Sequence, residues 1–136
     1  MPDLLTFTQD KFTFTVATDR YYNAAGVWAR ADGERVTVGV SDFFQQHNGD
    51  VAFAEVVEAG TAVLADEEFA KIETIKLDID LASPISGTIV AVNEALEMTA
   101  ELINHDPYGA GWLAQFAVSD WAVAKNSLLT PEQYFE

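Results

Sequence analysis

One stretch near the middle of the chain reverses its strand-type alternation of side chains. Small or apolar residues occupy even positions before the reversal and odd positions after it, at Ala70 and Ile72 and then at Ile75, Leu77, Ile79 and Leu81. Because the side chains of a strand alternate with a period of two, such a reversal requires a turn or a bulge. The pattern therefore predicts two strands over residues 69–81 that meet near residues 73–76.

Lys76 falls at this reversal, at or beside the tip of the predicted hairpin. Basic residues are scarce in the chain, which has 7 Lys and Arg residues in total. A lysine at a hairpin tip points its amine into water, and this suits a site that another enzyme reaches and modifies. The same position also fits an ordinary solvated lysine, and the reversal alone does not separate the two interpretations.

The length of 136 residues fits one domain, residues 1–136, whose core buries roughly two thirds of the surface of the unfolded chain. A hydrophobic content of 49% with 21% charged residues is typical of a globular protein. No apolar run approaches the roughly 20 residues of a membrane span, and the first residues lack the basic and apolar regions of a secretory signal. We therefore expect a soluble, cytoplasmic protein that has no membrane partner.

The acidity of the chain excludes nucleic acid as a partner. The 22 Asp and Glu residues give a formal net charge of −15, whereas a nucleic-acid-binding protein needs basic residues to neutralise phosphates. Between residues 50 and 106, thirteen carboxylates are opposed only by Lys71 and Lys76. The resulting negative field fits attraction of basic partner surfaces, and it fits simple solubility equally well.

The residues that could carry catalysis form no recognisable site. The chain has no cysteine, which excludes disulfides, thiolate metal sites and a cysteine nucleophile. Its two histidines, His47 and His105, belong to no metal-binding pattern. Asp78 and Asp80 share one face of a predicted strand, where carboxylates are usually solvated, and Ser86 lacks a nucleophile motif. With no catalytic residue and no metal ligand, the sequence favours a carrier or binding module over an enzyme.

Strand patterns dominate the first two thirds of the chain, and helix patterns the last third. Further strands are predicted over residues 11–17, 36–40, 51–57 and 88–92, with a hairpin turn at 31–34. Helices are predicted over residues 42–47, 99–104 and 119–127, and from residue 130 onward. Ser41 is placed to cap the first of these helices, and Thr130, Pro131 and Gln133 form a good start for the last.

Two segments are specific enough to suggest a family. The chain carries Glu73-Thr74-Ile75-Lys76 at the reversal and Asp106-Pro107-Tyr108-Gly109 within a longer match over residues 102–113. Residues 38–42, 49–51, 83–87 and 92–96 extend the pattern over most of the chain. This pattern resembles the H proteins of the glycine cleavage system, in which the first segment reads Glu-Ser-Val-Lys. Biotin carriers usually have Met-Lys-Met at the hairpin tip, and general lipoyl domains lack the Asp-Pro-Tyr-Gly segment.

The resemblance implies a fold, a cofactor and two site residues. The fold is mainly β, a flattened β-sandwich of the hybrid barrel-sandwich type that is like a lipoyl domain, with a few short helices, the last at the C-terminus. Lys76 would carry lipoate in amide linkage, and Glu73, which we expect to be exposed at the hairpin tip, would be recognised by the lipoylating enzyme. The dithiolane of the lipoyl arm would then supply the sulfur chemistry that a cysteine-free chain lacks.

The resemblance also implies partners. In glycine cleavage, the lipoyl arm of a non-catalytic carrier moves an aminomethyl group and reducing equivalents between glycine decarboxylase, aminomethyltransferase and dihydrolipoyl dehydrogenase, after a lipoate ligase or transferase has attached the lipoate. Lipoate-binding proteins similar to H proteins also occur in sulfur-oxidising bacteria, beside a complex like heterodisulfide reductase. Glycine cleavage is thus the main interpretation, and carriage of sulfur intermediates in a sulfur oxidation pathway is the alternative.

Overall fold

The computed structural model describes residues 4–9, 12–17, 19–33, 35–75, 78–119 and 121–135. Within these ranges the chain forms eleven strands and five short helices. The strands are β1 (Leu4–Gln9), β2 (Phe12–Ala17), β3 (Tyr21–Tyr22), β4 (Val27–Asp32), β5 (Arg35–Val40), β6 (Val51–Val56), β7 (Ala62–Val63), β8 (Glu68–Thr74), β9 (Asp78–Ala82), β10 (Gly87–Val92) and β11 (Ala114–Ala117). The helices are α1 (Asp42–Asn48), α2 (Ala95–Met98), α3 (Leu102–His105), α4 (Trp121–Ala124) and α5 (Pro131–Phe135), and a 3-10 turn, Lys125–Ser127, follows α4.

Two antiparallel sheets enclose the main core. One has six strands in the order β3-β4-β5-β11-β10-β7, and the other has three in the order β6-β8-β9. Phe69 on β8 meets Phe116 on β11 edge-on, with 5.9 Å between the ring centroids, and both side chains are fully buried. The fold is therefore the mainly β sandwich that the family resemblance implied. Strands β1 and β2 pair with each other in a separate two-stranded sheet.

The predicted caps of α1 and α5 and the predicted turn at residues 31–34 are present. Ser41 Oγ accepts a hydrogen bond from the Phe44 N–H at 3.1 Å, so α1 begins where its cap was predicted. Thr130 and Gln133 exchange two hydrogen bonds at the start of α5, a capping box that satisfies two backbone N–H groups. The predicted turn at residues 31–34 joins β4 to β5, whose last pair is Asp32 opposite Arg35; Glu34 lies outside the described residues.

The last third of the chain is less helical than the sequence predicted. Strand β11 was missed, and it lies in the middle of the six-stranded sheet between β5 and β10. Its four residues are too few for a period to be recognised, and its strand form comes from pairing on both edges and from burial of Phe116.

The helices of this region are also shorter than predicted or were not predicted. α3 begins at Leu102 and α4 at Trp121, each later than expected, and α2 was missed altogether. Helices of four residues cannot be stable alone. Burial of Leu96 on α2 and Ile103 on α3 in the core holds them in place.

A tight contact between Gly39 and Trp28 joins β5 to β4. A Cβ atom on Gly39 would lie 2.6 Å from Cζ2 of the Trp28 ring. The indole cannot move away easily, because it is buried and its Nε1–H donates to the carbonyl oxygens of Val40 and Pro107, each at 3.0 Å. Glycine is therefore required at position 39 by space rather than by backbone conformation.

We predict that Gly39→Ala lowers the free energy of unfolding by about 2–3 kcal/mol, the upper range for overpacking a core. Urea unfolding of the two proteins measures the difference. Gly33→Ala is the control: its Cβ meets nothing within 4 Å, although its φ of +66° disfavours alanine, so a loss of about 1 kcal/mol is expected. Equal losses in the two variants would contradict the steric explanation.

None of the helices that the structure describes is both long and apolar enough to cross a membrane.

Candidate functional site

The two predicted strands on either side of the candidate lysine in the sequence are present. β8 and β9 pair antiparallel, and the pair nearest their connection is Glu73 opposite Asp78. Lys76 and Leu77 lie outside the described residues, and the chain passes through them from Thr74, the last residue of β8, to Asp78, the first of β9. We refer to β8, β9 and this connection as the central hairpin.

Side-chain burial accounts for the reversal of alternation. On β8, Ala70 and Ile72 are buried, and they occupy even positions. On β9, Leu81 is buried and Ile79 is half-buried, and they occupy odd positions. Both strands thus turn their apolar sides to the same core, as a hairpin with a changed phase requires.

Glu73 is half-buried, which corrects the expectation that it is exposed. A glutamate at the tip of an isolated two-stranded hairpin would be exposed. In the structure β8 is the middle strand of its sheet, and Glu73 has Phe53 of β6 on one side and Asp78 of β9 on the other. Two neighbouring strands therefore shield it, and the pairing with β6 could not be read from the local sequence.

The outward face of this sheet is charged. Lys71 lies opposite Glu55 of β6 and opposite Asp80 of β9, and all three side chains are exposed. Lys71 is thus a residue within a strand, as the sequence predicted, and the structure places it between two carboxylates. Cross-strand neighbours of opposite charge stabilise a sheet modestly, so this lysine has a structural role available to it.

Two exposed apolar side chains lie near the turn end of the central hairpin. Ile75 directly precedes Lys76 and is 83% exposed, and Phe53, the cross-strand neighbour of Glu73, is 45% exposed. Exposed apolar groups next to carboxylates form the mixed surface that transient protein partners use.

The other candidate residues form no second site. His47 and His105 are exposed, and His47 stacks on Phe43 with 5.6 Å between ring centroids. Asp78 and Asp80 are also exposed. Ser86 Oγ accepts a hydrogen bond from the Ala65 N–H at 2.8 Å and so serves a turn. In the described part of the chain, no group of three or more His, Asp or Glu residues could hold a metal ion.

A buried arginine, which sequence reasoning missed, organises the segment around Tyr108. Arg20 is 2% exposed; its Nε donates to Asp19 at 2.7 Å, and its NH1 group donates to the Tyr108 carbonyl oxygen at 2.9 Å. Its guanidinium lies 4.5 Å from the centroid of the Trp28 ring and 5.3 Å from that of Tyr108. A buried cation needs such partners. Asp19 is the neighbour of Arg20 in the sequence, whereas Tyr108 lies 88 positions away and meets Arg20 only in the folded protein. The segment Asp106-Pro107-Tyr108-Gly109, one of the two that carry the family resemblance, therefore has a structural role.

Three tyrosines extend this cluster to the C-terminal helix. Tyr22 and Tyr134 stack with 4.6 Å between ring centroids, and the Tyr134 hydroxyl is 2.6 Å from Ser41 Oγ, the cap of α1. The Tyr108 hydroxyl accepts a hydrogen bond from the Asp42 N–H at 3.2 Å. Burial raises the pKa of Tyr108 to about 12, and burial also raises the pKa values of Tyr22 and Tyr134.

These pKa values predict loss of stability at alkaline pH. Because the pKa of an unfolded tyrosine is about 10, the folded protein keeps protons above that pH that the unfolded chain releases. The free energy of unfolding should therefore fall as pH rises above about 10, by up to about 1.4 kcal/mol per pH unit for each buried tyrosine. Urea unfolding at several alkaline pH values measures the slope. Tyr134→Phe should reduce it, and a profile without any slope would contradict burial of the three hydroxyls.

Comparison with known proteins agrees with this architecture. The family model described as Glycine cleavage H-protein matches residues 20–136. The glycine cleavage system H protein of Rubrobacter xylanophilus is 42% identical over 119 residues, which cover 88% of this chain and 91% of the relative. That of Geobacillus thermodenitrificans is 41% identical over 113 residues, which cover 83% and 88%. The crystal structure of a glycine cleavage system H protein from Mycobacterium marinum matches with a TM-score of 0.79 at 35% identity, over 88% of this chain and 95% of that one.

The sandwich and its central hairpin define a carrier domain of the lipoyl type rather than an enzyme. The chain belongs to the glycine cleavage H-protein family. Members of this family are non-catalytic subunits that carry lipoate covalently on a lysine and work with the enzymes of glycine cleavage. The comparisons support the glycine cleavage interpretation and do not favour the sulfur-carrier alternative.

Proposed function

We propose that Lys76 is the lysine that carries lipoate, and that the central hairpin presents the resulting arm to each enzyme of glycine cleavage in turn. The observation that carries the proposal is the position of Glu73-Thr74-Ile75-Lys76 across the end of β8, in a chain of this family. Lys71 has a glutamate at the same spacing, in Glu68-Phe69-Ala70-Lys71, but lies within the strand. Position relative to the turn thus separates two otherwise similar segments.

The described neighbours of Lys76 fit attachment of a long arm. Ile75 and Asp78, on either side of the connection, are both exposed, so a modifying enzyme can reach this end of the hairpin. The amide linkage would remove the charge of the lysine, and lipoate would supply the dithiol that the cysteine-free chain lacks. The chain itself would hold the attachment point at a fixed place and present a surface for recognition. Tethering then raises the effective concentration of the arm at each active site.

We assign four partners to this surface: glycine decarboxylase, aminomethyltransferase, dihydrolipoyl dehydrogenase, and a lipoate ligase or transferase. The net charge of −15 and the exposed carboxylates of Glu55, Asp78 and Asp80 favour basic docking surfaces on these enzymes. Residues 1–136 would act as one carrier domain, and the cytoplasm is the compartment in which we place it.

The first prediction of this proposal is that Lys76→Arg abolishes modification. Incubation with lipoate ligase, ATP and lipoate should add one lipoyl group to the unsubstituted chain and none to the variant, as measured by intact mass spectrometry. Lys71→Arg is the matched control, because it changes the lysine with the same upstream glutamate, and it should be modified normally. An adduct that persists in Lys76→Arg would contradict the assignment.

Comparison of the unsubstituted chain with Lys76→Arg also tests the pathway. The lipoylated chain should support glycine-dependent exchange of bicarbonate when mixed with a glycine decarboxylase, and Lys76→Arg should not. The exchange should weaken with added salt, because salt screens attraction between an acidic carrier and a basic surface. A fully lipoylated chain that gives no exchange with decarboxylases from several sources would contradict a role in glycine cleavage.

We further propose that Glu73 is recognised by the lipoylating enzyme, which is the role that the sequence suggested. Its partial burial restricts the carboxylate to fewer orientations than an exposed side chain has. Its cross-strand neighbour on β9 is Asp78, and like charges that face each other destabilise a sheet. The Glu73 carboxylate therefore does not stabilise the sheet, and recognition by the lipoylating enzyme is the role that we assign to it.

Glu73→Gln should slow lipoylation about tenfold to a hundredfold, the loss expected when a hydrogen bond to a charged group is removed. Stability should change by less than about 0.5 kcal/mol. Glu68→Gln is the matched control, since Glu68 lies on the same strand three residues before Lys71 and is exposed. Rates that are equal in the two variants would exclude a recognition role for Glu73.

A further inference from the structure

A β-bulge on β6 lies beside the turn end of the central hairpin. β6 pairs with β8 through Val51 opposite Thr74 and Phe53 opposite Glu73, so Ala52 is an extra residue on β6. The pair of Val51 and Thr74 is the described pair between β6 and β8 that lies nearest to residues 75–77. A bulge locally disrupts the ladder of hydrogen bonds. Val51, on the other side of the bulge from the rest of β6, therefore needs a hydrogen-bond partner from outside the sheet.

The side chain of Asn104 supplies that support. Its Oδ1 accepts a hydrogen bond from the Val51 N–H at 2.8 Å. Its Nδ2 donates to the Gly49 carbonyl oxygen at 3.0 Å and to Gln45 Oε1 at 3.1 Å. One amide thus joins α3, the end of α1 and the beginning of β6.

The orientation of this amide is fixed by its partners. A backbone N–H can only donate and a backbone carbonyl oxygen can only accept, so Oδ1 must face Val51 and Nδ2 must face Gly49. Asn104 is half-buried, and the preceding residue, Ile103, is fully buried in the main core. The core therefore holds Asn104 in place, and Asn104 holds the first residue of β6.

We propose that Asn104 is a positioning residue for attachment of lipoate, acting through Val51 on Thr74 and so on the turn end of the central hairpin. This inference rests on the proposal that Lys76 is the attachment site. Without the amide, Val51 loses the partner of its N–H beyond the bulge, and the pair of Val51 and Thr74 separates more often. A lipoylating enzyme that recognises the ordered hairpin then meets fewer competent molecules.

This mechanism predicts a particular kinetic change. When a smaller fraction of molecules is competent to bind, the apparent affinity falls by that fraction, whereas the bound hairpin is already ordered. For Asn104→Ala, the loss of one or two hydrogen bonds should shift the equilibrium of the Val51–Thr74 pair about tenfold towards the open form. The KM of a lipoate ligase for the carrier should rise as the ordered fraction falls, by up to about tenfold, and kcat should change little. Hydrogen exchange of the Val51 N–H should accelerate, because the N–H loses its partner.

Asn93→Ala is the matched control. Asn93 is a buried asparagine with the same pattern of bonds: its Nδ2 donates to the carbonyl oxygens of Ala110 and Trp112, each at 2.8 Å, and its Oδ1 accepts from the Ala95 N–H at 3.2 Å. These bonds do not involve β6 or β8. The control should lower the melting temperature at least as much as Asn104→Ala, yet leave the KM of the folded protein and the exchange of Val51 unchanged.

The experiment compares lipoylation kinetics with lipoate ligase, ATP and lipoate for the unsubstituted chain and both variants, at a temperature where all are folded. An unchanged KM in Asn104→Ala, or an equal rise in both variants, would overturn the inference. If Asn104→Ala does not fold, Gln45→Ala removes only one partner of the amide and should raise KM and Val51 exchange together; faster exchange without a change in KM would also overturn it. Absence of any adduct on the unsubstituted chain would instead contradict the proposed attachment at Lys76.

Discussion

Strand β8 is paired along both of its edges, and the site depends on that pairing. With β6 on one side and β9 on the other, β8 has no free edge in the described part of the sheet, and its inward residues Phe69 and Ile72 are fully buried in the main core. A two-stranded hairpin alone is only marginally stable in water. The third strand and the core beneath it give β8 and β9 fixed positions on either side of the segment that contains Lys76.

The segment Asp106-Pro107-Tyr108-Gly109, which carries part of the family resemblance, does not belong to this hairpin and has a structural role. The segment around Tyr108 accepts a hydrogen bond from buried Arg20 and from Trp28, and it meets the N-terminus of α1 through the Tyr108 hydroxyl. These contacts fix the residues that follow Asn104 in the chain. A carrier that has no catalytic group of its own places much of its characteristic sequence in such contacts, because its contribution is the position of one attachment point.

The outward face of the three-stranded sheet carries charged side chains on well-paired strands. Exposed carboxylates alternate along it with Lys71 and with the apolar side chain of Phe53. Such a surface suits brief encounters, since charge accelerates association without making the complex long-lived. In the function that we propose, the carrier leaves one enzyme before it meets the next, and this surface fits that requirement.

The sequence by itself determined the central hairpin, the caps of α1 and α5, and the candidate residue Lys76, because each of these depends on alternation or on side chains within a few positions of one another. The tertiary structure alone decided the strand form of β11, the helix α2 and the bounds of α3, because these elements are too short to show a period and are held by the neighbours that bury them. It also decided the partial burial of Glu73, the enclosure of Arg20 by Trp28 and Tyr108, and the bond from Asn104 to Val51, a pair separated by 53 positions. Local sequence carries no record of which distant backbone group a side chain will meet, and these contacts are made only when the two sheets pack.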